Sequence, residues 1–218
     1  MGVIPWDSII SLLRENKKGA LLPSVSDIAL MNGTPFTILV STVISLRTRD
    51  KVTLEASLRL FAQAQDPVSM AALDPADIEK LIYPAGFYKR KALQIKEISR
   101  ILAEDYGSTV PKNVEELTAL PGVGRKTANL TLGLGYGIPA LCVDTHVHRV
   151  ANRMGWVHTK TPEKTERALS AILPKKYWIE INELLVIFGQ TVCTPQSPRC
   201  SICPFSSSCS RTGVDRSR

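Results

Sequence analysis

Apolar residues recur every three or four positions along most of the chain, which predicts helices, and no segment alternates as a convincing strand does. The first helix is expected over residues 5–18, with four apolar residues on one face: Trp6, Ile9, Leu12 and Leu13. A second should begin after Thr34, an N-cap residue followed by Pro35. Apolar residues cover most of its circumference as far as Leu46, so we expect this helix at the centre of a core.

Cap residues and prolines predict where several later helices begin. Asp50 is expected to cap a helix that runs to about Gln65, and Asp66 and Asp74 each precede a proline. A longer helix should follow, with its apolar stripe turned toward the core: Ala92, Ile95, Ile98, Ile101 and Leu102. The pattern as a whole predicts an all-α protein.

Residues 120–124, Leu-Pro-Gly-Val-Gly, predict a tight hairpin between two helices. The first helix should begin at Asn113, whose side chain can form a capping box with Glu116. Pro121 cannot continue that helix, because proline has no amide hydrogen and disfavours helical backbone in the residue before it.

The second helix should begin near Gly124 and run through Leu134. Gly122 and Gly124 both permit positive φ, and glycine leaves the amides at the helix start uncovered. Such amides form a site for an anion, and phosphate is the obvious one for a basic chain. The alternative is an ordinary turn between helices, where glycines are also common.

Lys126 and Asp144 have the chemistry of a catalytic pair. Lys126 lies in the first turn of the second helix, where the positive end of the helix dipole favours a neutral amine, and a neutral amine can attack carbon to form a Schiff base. Asp144 precedes a helix expected over residues 145–153, whose start favours an ionised carboxylate that can stabilise a developing cation. The alternatives are a surface lysine that meets phosphate and a simple N-cap.

Composition restricts the classes of function. The 218 residues carry a net charge of +7, which favours a polyanionic partner, and 44% of them are hydrophobic, enough to form a core in one domain or two lobes. No apolar run approaches the ~20 residues of a membrane span. Residues 1–18 lack the pattern of a secretory signal. We therefore expect an intracellular, cytoplasmic protein with no membrane partner.

Four of the five cysteines form a C-x6-C-x2-C-x5-C pattern: Cys193, Cys200, Cys203 and Cys209. Their odd total and their crowding argue for metal ligation in a reducing compartment rather than a disulfide framework. Zinc modules usually have two C-x2-C pairs and this pattern has one, so spacing alone leaves zinc and a cubane iron–sulfur cluster both open. Cys142 lies outside the pattern and is expected to be buried.

Residues 85–91 combine a glycine, two aromatic residues and three consecutive basic residues. Such a loop can present an apolar wedge and cations, including Lys89, to nucleic acid. Phe87 is the stronger candidate for the wedge because Ala85 is small. The alternative is that Phe87 and Tyr88 pack in the core, as aromatic residues near helix starts usually do.

The residues around the hairpin resemble those of a known family. Residues 120–128, LPGVGRKTA, with VDTH at 143–146, are similar to the helix-hairpin-helix DNA glycosylase superfamily, and most closely to the endonuclease III family. The resemblance implies two helical lobes flanking a DNA-binding cleft. One is a six-helix barrel lobe with the hairpin, residues 28–139, and the other combines residues 1–27 and 140–218.

The resemblance also implies a chemistry. The enzyme would be a base-excision-repair glycosylase and abasic-site lyase that removes oxidised pyrimidines from duplex DNA. Lys126 would attack the sugar as the base leaves, Asp144 would stabilise the developing charge, and the Schiff base would permit β-elimination. A [4Fe–4S] cluster held by the four cysteines of the loop at 193–209 would present Arg199 and Arg211 to the DNA backbone.

DNA contacts are implied at several further positions: Ala85, Phe87 and Lys89 in one loop, Gly122, Gly124 and Arg125 at the hairpin, and His146. Arg47 departs from the family, in which the matching residue is usually a glutamine that fills the hole left by the flipped nucleotide. Arginine could fill that hole and pair with a guanine edge. The expected partner is double-stranded DNA with damaged bases or abasic sites, bound by a nucleoid-associated monomer.

Two rival functions remain open from the residues alone. A non-catalytic helix-hairpin-helix module that docks DNA for a partner would explain the hairpin and the charge, without requiring Lys126 or Asp144. A monofunctional glycosylase is the nearer rival. Lysine at position 126 argues against it, because adenine-removing relatives generally lack that lysine and thymine–guanine mismatch relatives often have tyrosine there.

Overall fold

The computed structural model describes residues 4–31 and 33–218, and all regular elements in these residues are helical. The expected all-α fold is therefore confirmed. The chain divides into two compact units. We call Pro23–Ala140 the hairpin unit, and Met1–Leu22 with Leu141–Arg218 the cluster unit. The boundary expected after residue 27 would fall inside the helix Ser24–Leu30, which lies wholly in the hairpin unit.

The hairpin unit is built around the apolar helix Pro35–Ser45, in which Ile38, Leu39, Val40 and Ile44 are fully buried. The position of this helix at the centre of a core is as predicted. The other α-helices of the unit are, in chain order, Ser24–Leu30, Asp50–Phe61, Pro67–Ala72, Pro75–Ile82, Tyr88–Asp105, Val114–Ala119 and Arg125–Leu130. A π-helical turn, Thr131–Gly135, continues the last of them.

The cluster unit joins the two ends of the chain. Its α-helices are Trp6–Lys17, Thr145–Arg153, Pro162–Ser170 and Glu180–Thr191, with short 3-10 turns at Lys175–Tyr177 and Cys200–Ile202. The N-terminal helix packs on Glu180–Thr191, and Arg14 Nη2 lies 2.8 Å from Glu180 Oε1. In the described residues, no helix combines the length and the apolar character needed to cross a membrane.

Three predicted caps are present at Thr34, Asp66 and Asp74, whose side chains each accept an amide hydrogen bond from the following turn. The predicted cap at Asp50 is wrong. Asp50 is the first residue of its helix, and its Oδ1 accepts hydrogen bonds from Ser24 N at 3.1 Å and Ser24 Oγ at 3.0 Å. Ser24, 26 positions away in the sequence, thus binds the carboxylate oxygen that was predicted to cap the helix.

The predicted buried face of the first helix needs one correction. Leu12 is 41% exposed, whereas Ile10 is fully buried together with Trp6, Ile9 and Leu13. The buried positions follow the spacing i, i+3, i+4 and i+7 of a single helical face, and position 12 lies off that face.

Candidate active site

The hairpin at residues 120–124 turns on one left-handed glycine. Gly122 has φ +71°, and Val123 N donates to Leu120 O at 3.1 Å to close the turn. Gly124 has φ −92° and ψ 172°, so it does not use the positive φ that glycine permits. It is the N-cap of Arg125–Leu130, in the extended conformation that N-caps adopt.

The two glycines have different physical purposes. A Cβ at Gly122 would lie 2.2 Å from Gln94 Nε2, a flexible side-chain end that could move aside, so the turn needs glycine for its left-handed conformation. A Cβ at Gly124 would have no atom of the described residues within 4 Å. Because glycine has no side chain, it cannot cap the helix it precedes, and the start of that helix stays accessible to an external anion.

The helix that leads into the hairpin begins as predicted at Asn113. Asn113 Oδ1 accepts from Glu116 N at 2.8 Å. The Glu116 side chain accepts from Asn113 Nδ2 at 2.7 Å and not from the backbone amide of Asn113, so only the first half of the predicted capping box is present. This local cap fixes the entry to the turn.

Lys126 is the second residue of Arg125–Leu130 and is half-buried. The next three residues, Thr127, Ala128 and Asn129, are buried in the hairpin unit and anchor the helix on which the amine stands. Arg125 is exposed beside it. The π-helical turn Thr131–Gly135 follows directly, and such turns frequently occur near functional sites.

Asp144 is the N-cap of Thr145–Arg153 in the cluster unit. Its Oδ1 accepts amide hydrogen bonds from His146 at 2.8 Å and Val147 at 2.9 Å, which fixes the orientation of the carboxylate. The preceding backbone is held in turn, because Asn182 Nδ2 donates to Cys142 O at 3.2 Å and Cys142 is buried as predicted. Asp144 is therefore a cap, and its role in catalysis stays a prediction.

His146 is half-buried on the same helix, and its Nδ1 lies 3.2 Å from Arg149 Nη2. Arg149 also donates to the backbone carbonyls of Gly189 and Cys193. Burial lowers the pKa of Arg149 from its ordinary value. His146 thus has a structural contact, and DNA binding by it stays a prediction.

Two loops of the hairpin unit bring a cation and an aromatic ring together. We call residues 46–49 the Arg47 loop and residues 83–87 the Phe87 loop. Arg47 and Phe87 both have left-handed backbone, with φ 53° and 57°, and the guanidinium carbon lies 5.7 Å from the ring centroid. Arg47 is exposed, and Phe87 is 62% exposed, so the core alternative for Phe87 is wrong, while Tyr88 does pack against the core.

Of the residues near Phe87 in the sequence, some are exposed and others are buried. Ala85 is only 2% exposed, so its side chain offers almost no surface to DNA, and a contact at this position stays a prediction. Lys89 is exposed, whereas Lys91, one of the three basic residues expected to face nucleic acid, is buried. Positions 91, 95, 98 and 102 share one helical face, so the apolar spacing could have indicated this burial.

The four cysteines of the C-terminal pattern line one shared pocket: Cys193, Cys200, Cys203 and Cys209. All four are free thiols, which agrees with the argument against a disulfide framework. In the described residues, no three His, Cys, Asp or Glu side chains are arranged to hold one metal ion. Sulfurs arranged around a shared cavity suit a cubane cluster, in which each iron takes one thiolate.

Hydrogen-bond donors point at these sulfurs. Arg211 N lies 3.4 Å from Cys209 Sγ, and Arg153 Nη1 lies 3.5 Å from Cys193 Sγ. Burial raises the pKa of the Cys203 and Cys209 thiols, so a metal that binds them must stabilise the thiolate against this cost. The residues present therefore fit an iron–sulfur cluster.

The sequence did not single out Arg153 as part of this site. Arg153 is buried, and its guanidinium donates to Thr194 O at 2.7 Å and Pro195 O at 2.8 Å. It thus fastens the loop that carries Cys193 to the helix that follows Asp144. Arg199 and Arg211, the cations expected beside the cluster, are both exposed.

Two family models match the chain. One, described as HhH-GPD superfamily base excision DNA repair protein, matches residues 40–175. The other, described as the iron–sulfur binding domain of endonuclease III, matches residues 193–209. The first match includes the hairpin, Lys126 and Asp144, and the second is the cysteine loop.

Individual relatives agree with the family models. Endonuclease III of Thermotoga maritima is 52% identical over 175 residues, which are 80% of this chain and 82% of that protein. Endonuclease III of Bacillus subtilis is 35% identical over 204 residues, 93% of this chain and 92% of that protein. A solved structure described as a trapped endonuclease III–DNA covalent intermediate, an estranged-adenine complex, matches with a TM-score of 0.81 and 32% identity, and the match covers 95% of this chain and 96% of that chain.

Fold, cysteine loop and relatives therefore agree. The chain belongs to the endonuclease III family of the HhH-GPD superfamily, as a DNA-binding base-excision-repair glycosylase with abasic-site lyase activity and a [4Fe–4S] cluster.

Proposed function

We propose that this enzyme removes oxidised pyrimidines, such as thymine glycol, from duplex DNA and then nicks the strand through a Schiff base on Lys126. The observation that carries the proposal is the half-buried amine of Lys126 in the first turn of a helix that begins with Gly124. An amine in its neutral form is a nucleophile that attacks carbon to form a Schiff base. The relative described as a covalent endonuclease III–DNA intermediate supports the same chemistry. The preference for oxidised pyrimidines rests on the family resemblance.

The reaction begins when the glycosidic bond breaks and its electron pair leaves with the base. The lone pair of Lys126 Nζ bonds to C1′, and the amine loses a proton. The nitrogen lone pair then forms a double bond to C1′ as the C1′–O4′ bond breaks, and O4′ takes up a proton to become a hydroxyl. The resulting iminium ion acidifies the C2′ hydrogen. Loss of that proton expels the 3′ phosphate with the electrons of the C3′–O bond, which is the β-elimination step. Water finally hydrolyses the imine and restores the amine.

Asp144 serves the first step in this proposal. The sugar gains positive charge as the base departs, and a fixed carboxylate stabilises that charge. The two amide hydrogen bonds from His146 and Val147 hold the carboxylate in one orientation, so little reorganisation is needed during the reaction. Asp144 also serves as an acceptor for the proton that Lys126 loses.

The hairpin holds the DNA backbone. The accessible helix start at Gly124, with Gly122 and Arg125 beside it, binds phosphate without reading sequence. Lys89 adds a cation from the surface of the same unit. Every group proposed here lies on one chain, so we infer that the enzyme acts as a monomer.

Arg47 and Phe87 occupy the space that the flipped nucleotide leaves in the duplex. Phe87 is an exposed apolar side chain and acts as the wedge. Arg47 reaches the orphaned base, where its guanidinium donates to the acceptors on the exposed edge of that base. These acceptors differ among the four bases, so the excision rate depends on the base opposite the lesion. His146 is a further DNA contact.

A lesion panel tests this proposal. Duplexes with thymine glycol, other oxidised pyrimidines, oxidised purines or an abasic site, each placed opposite all four bases, are resolved on gels with and without alkali. Strand breaks at oxidised pyrimidines without alkali are expected, at rates that depend on the opposite base. Breaks that need alkali would indicate a monofunctional glycosylase, and binding without any turnover would indicate a docking module.

A further inference from the structure

Lys91 is a buried lysine that the proposed reaction does not use. Only 4% of it is exposed, although it stands in the first turn of Tyr88–Asp105, where the helix dipole disfavours a cation. Burial alone lowers its pKa to about 8. A buried ammonium group in such a place is destabilising unless its donors are satisfied.

All three donors of the Lys91 ammonium have an acceptor. Nζ donates to Ile44 O at 2.7 Å, Leu46 O at 2.6 Å and Thr48 Oγ1 at 2.8 Å. Ile44 and Leu46 are at the C-terminal end of Pro35–Ser45, where helix carbonyls lack partners and the dipole is negative. Lys91, in the first turn of Tyr88–Asp105, thus donates hydrogen bonds to carbonyl groups at the C-terminal end of Pro35–Ser45.

These bonds determine where the Arg47 loop lies. Leu46 and Thr48, on either side of Arg47, are both held by Lys91. The residue between them has left-handed backbone, which is unfavourable for arginine and persists only when its surroundings impose it. Lys91 is part of those surroundings.

The same hydroxyl group reaches the Phe87 loop. Thr48 Oγ1 also accepts from Gly86 N at 3.1 Å. The loops approach so closely that a Cβ at Gly86 would lie 2.4 Å from Arg47 O. Phe87 follows Gly86 directly, so one buried amine sets the positions of both exposed side chains.

We propose that Lys91 is a positioning residue that holds Arg47 and Phe87 together as one preassembled element for probing DNA. This inference rests on the proposed function, in which those two side chains enter the duplex. Without the ammonium group, the loops lose their common anchor, and part of the binding energy must be spent on ordering them.

Lys91→Met tests the inference, because methionine keeps most of the length and apolar volume but has no donors. Lys96→Met is the matched control. Lys96 lies on the same helix and also donates to a backbone carbonyl, Leu73 O at 2.7 Å, away from both loops. The measurements are the single-turnover excision rate and the ratio of rates opposite the four bases.

Lys91→Met should slow excision about 10-fold or more and flatten the opposite-base ratio, whereas Lys96→Met should change neither. Adding Lys91→Met to an Arg47→Ala/Phe87→Ala enzyme should have little further effect, because all three changes disable one element. A normal rate and ratio in Lys91→Met, or losses that simply multiply, would overturn the positioning role.

Two further outcomes separate the possible failures. If Arg47→Ala and Phe87→Ala both retain normal excision, the proposed contacts fail, and the role of Lys91 fails with them. If Lys91→Met does not fold, as judged from its circular dichroism and cluster absorbance, Thr48→Val decides instead. That variant removes only the hydroxyl bridge and should flatten the opposite-base ratio, whereas an unchanged ratio would refute the inference.

Discussion

Two helices in this enzyme begin with N-cap residues of contrasting chemistry. Arg125–Leu130 begins at Gly124, whose missing side chain cannot cap the helix, and a lysine stands in its first turn. Thr145–Arg153 begins at Asp144, whose carboxylate accepts two of the helix's own amide hydrogen bonds. The first start suits an external anion, and the second already holds an internal one. One helix start thus combines a glycine N-cap with a lysine, and the other has a carboxylate as its cap.

The difference shows that one residue is enough to change what the amides at a helix start bind. One residue, glycine or aspartate at the N-cap, decides whether the amides face a ligand or a side chain. In the proposed mechanism the chain needs both arrangements, a binding site for phosphate and a stabiliser for the sugar cation. Each can be altered by a single substitution.

Asp144→Asn should have the largest effect. Asparagine caps a helix as well as aspartate does, so the fold should be retained, but the negative charge is lost. Base excision should slow roughly 100- to 1000-fold, the usual effect of removing one electrostatic stabiliser. Single-turnover gels measure it, with Asp74→Asn, a cap elsewhere in the chain, as the control. A variant that excises at the wild-type rate would show that Asp144 is only a cap.

Gly124→Asp would make the two helix starts alike. The backbone at position 124 is already extended, and a Cβ there meets no described atom within 4 Å, so aspartate should fit and cap the helix. The carboxylate would occupy the phosphate site, so the Kd for undamaged duplex should rise about 10-fold or more, while the melting temperature stays or rises.

Gly124→Ala separates the two parts of that effect, because it adds a Cβ without a charge or a cap. Fluorescence anisotropy with labelled duplex should show only a small loss for alanine. Equal losses of affinity for Gly124→Ala and Gly124→Asp would mean that the added Cβ blocks binding by its size and that the helix amides do not bind the anion.

A third helix, Tyr88–Asp105, has the buried Lys91 in its first turn. We expect this lysine to have a smaller effect, on how the free energy of unfolding depends on pH. Its pKa is about 8 in the folded protein against an ordinary value of 10.5, so the unfolded chain binds more protons between those values. The contribution of Lys91 to the free energy of unfolding is therefore lowest below pH 8 and rises by about 3 kcal/mol toward pH 10.5. Denaturation of wild type and Lys91→Met over this range measures it. A difference between them that does not change with pH would contradict the prediction.

Local signals predicted the features that depend on neighbours in sequence. The caps at Thr34, Asp66, Asp74 and Asn113, the hairpin and the cysteine pattern all rest on residues a few positions apart. The apolar helix Pro35–Ser45 was predicted as central because its composition leaves no polar face.

Features that depend on distant partners were not predicted. Lys91 binds a carbonyl 47 positions away, and Arg153 binds one 41 positions away. The apolar spacing of its helix could have indicated that Lys91 is buried, but no local pattern could have identified the carbonyl partners of either residue. Asp50 was misassigned for the same reason, because Ser24 takes its oxygen. Both hairpin glycines permit positive φ, and the sequence could not tell that only Gly122 of the two uses it.

Borohydride trapping tests the central claim, that Lys126 forms a covalent bond with the sugar. Wild-type enzyme, Lys126→Gln and the surface control Lys160→Gln are mixed with an abasic-site duplex and with an oxidised-pyrimidine duplex, reduced, and resolved on denaturing gels. Wild type and Lys160→Gln should give a protein–DNA adduct, and Lys126→Gln should give none while its Kd for the duplex changes little. An adduct of normal yield in Lys126→Gln, or no adduct in the wild type, would contradict the account.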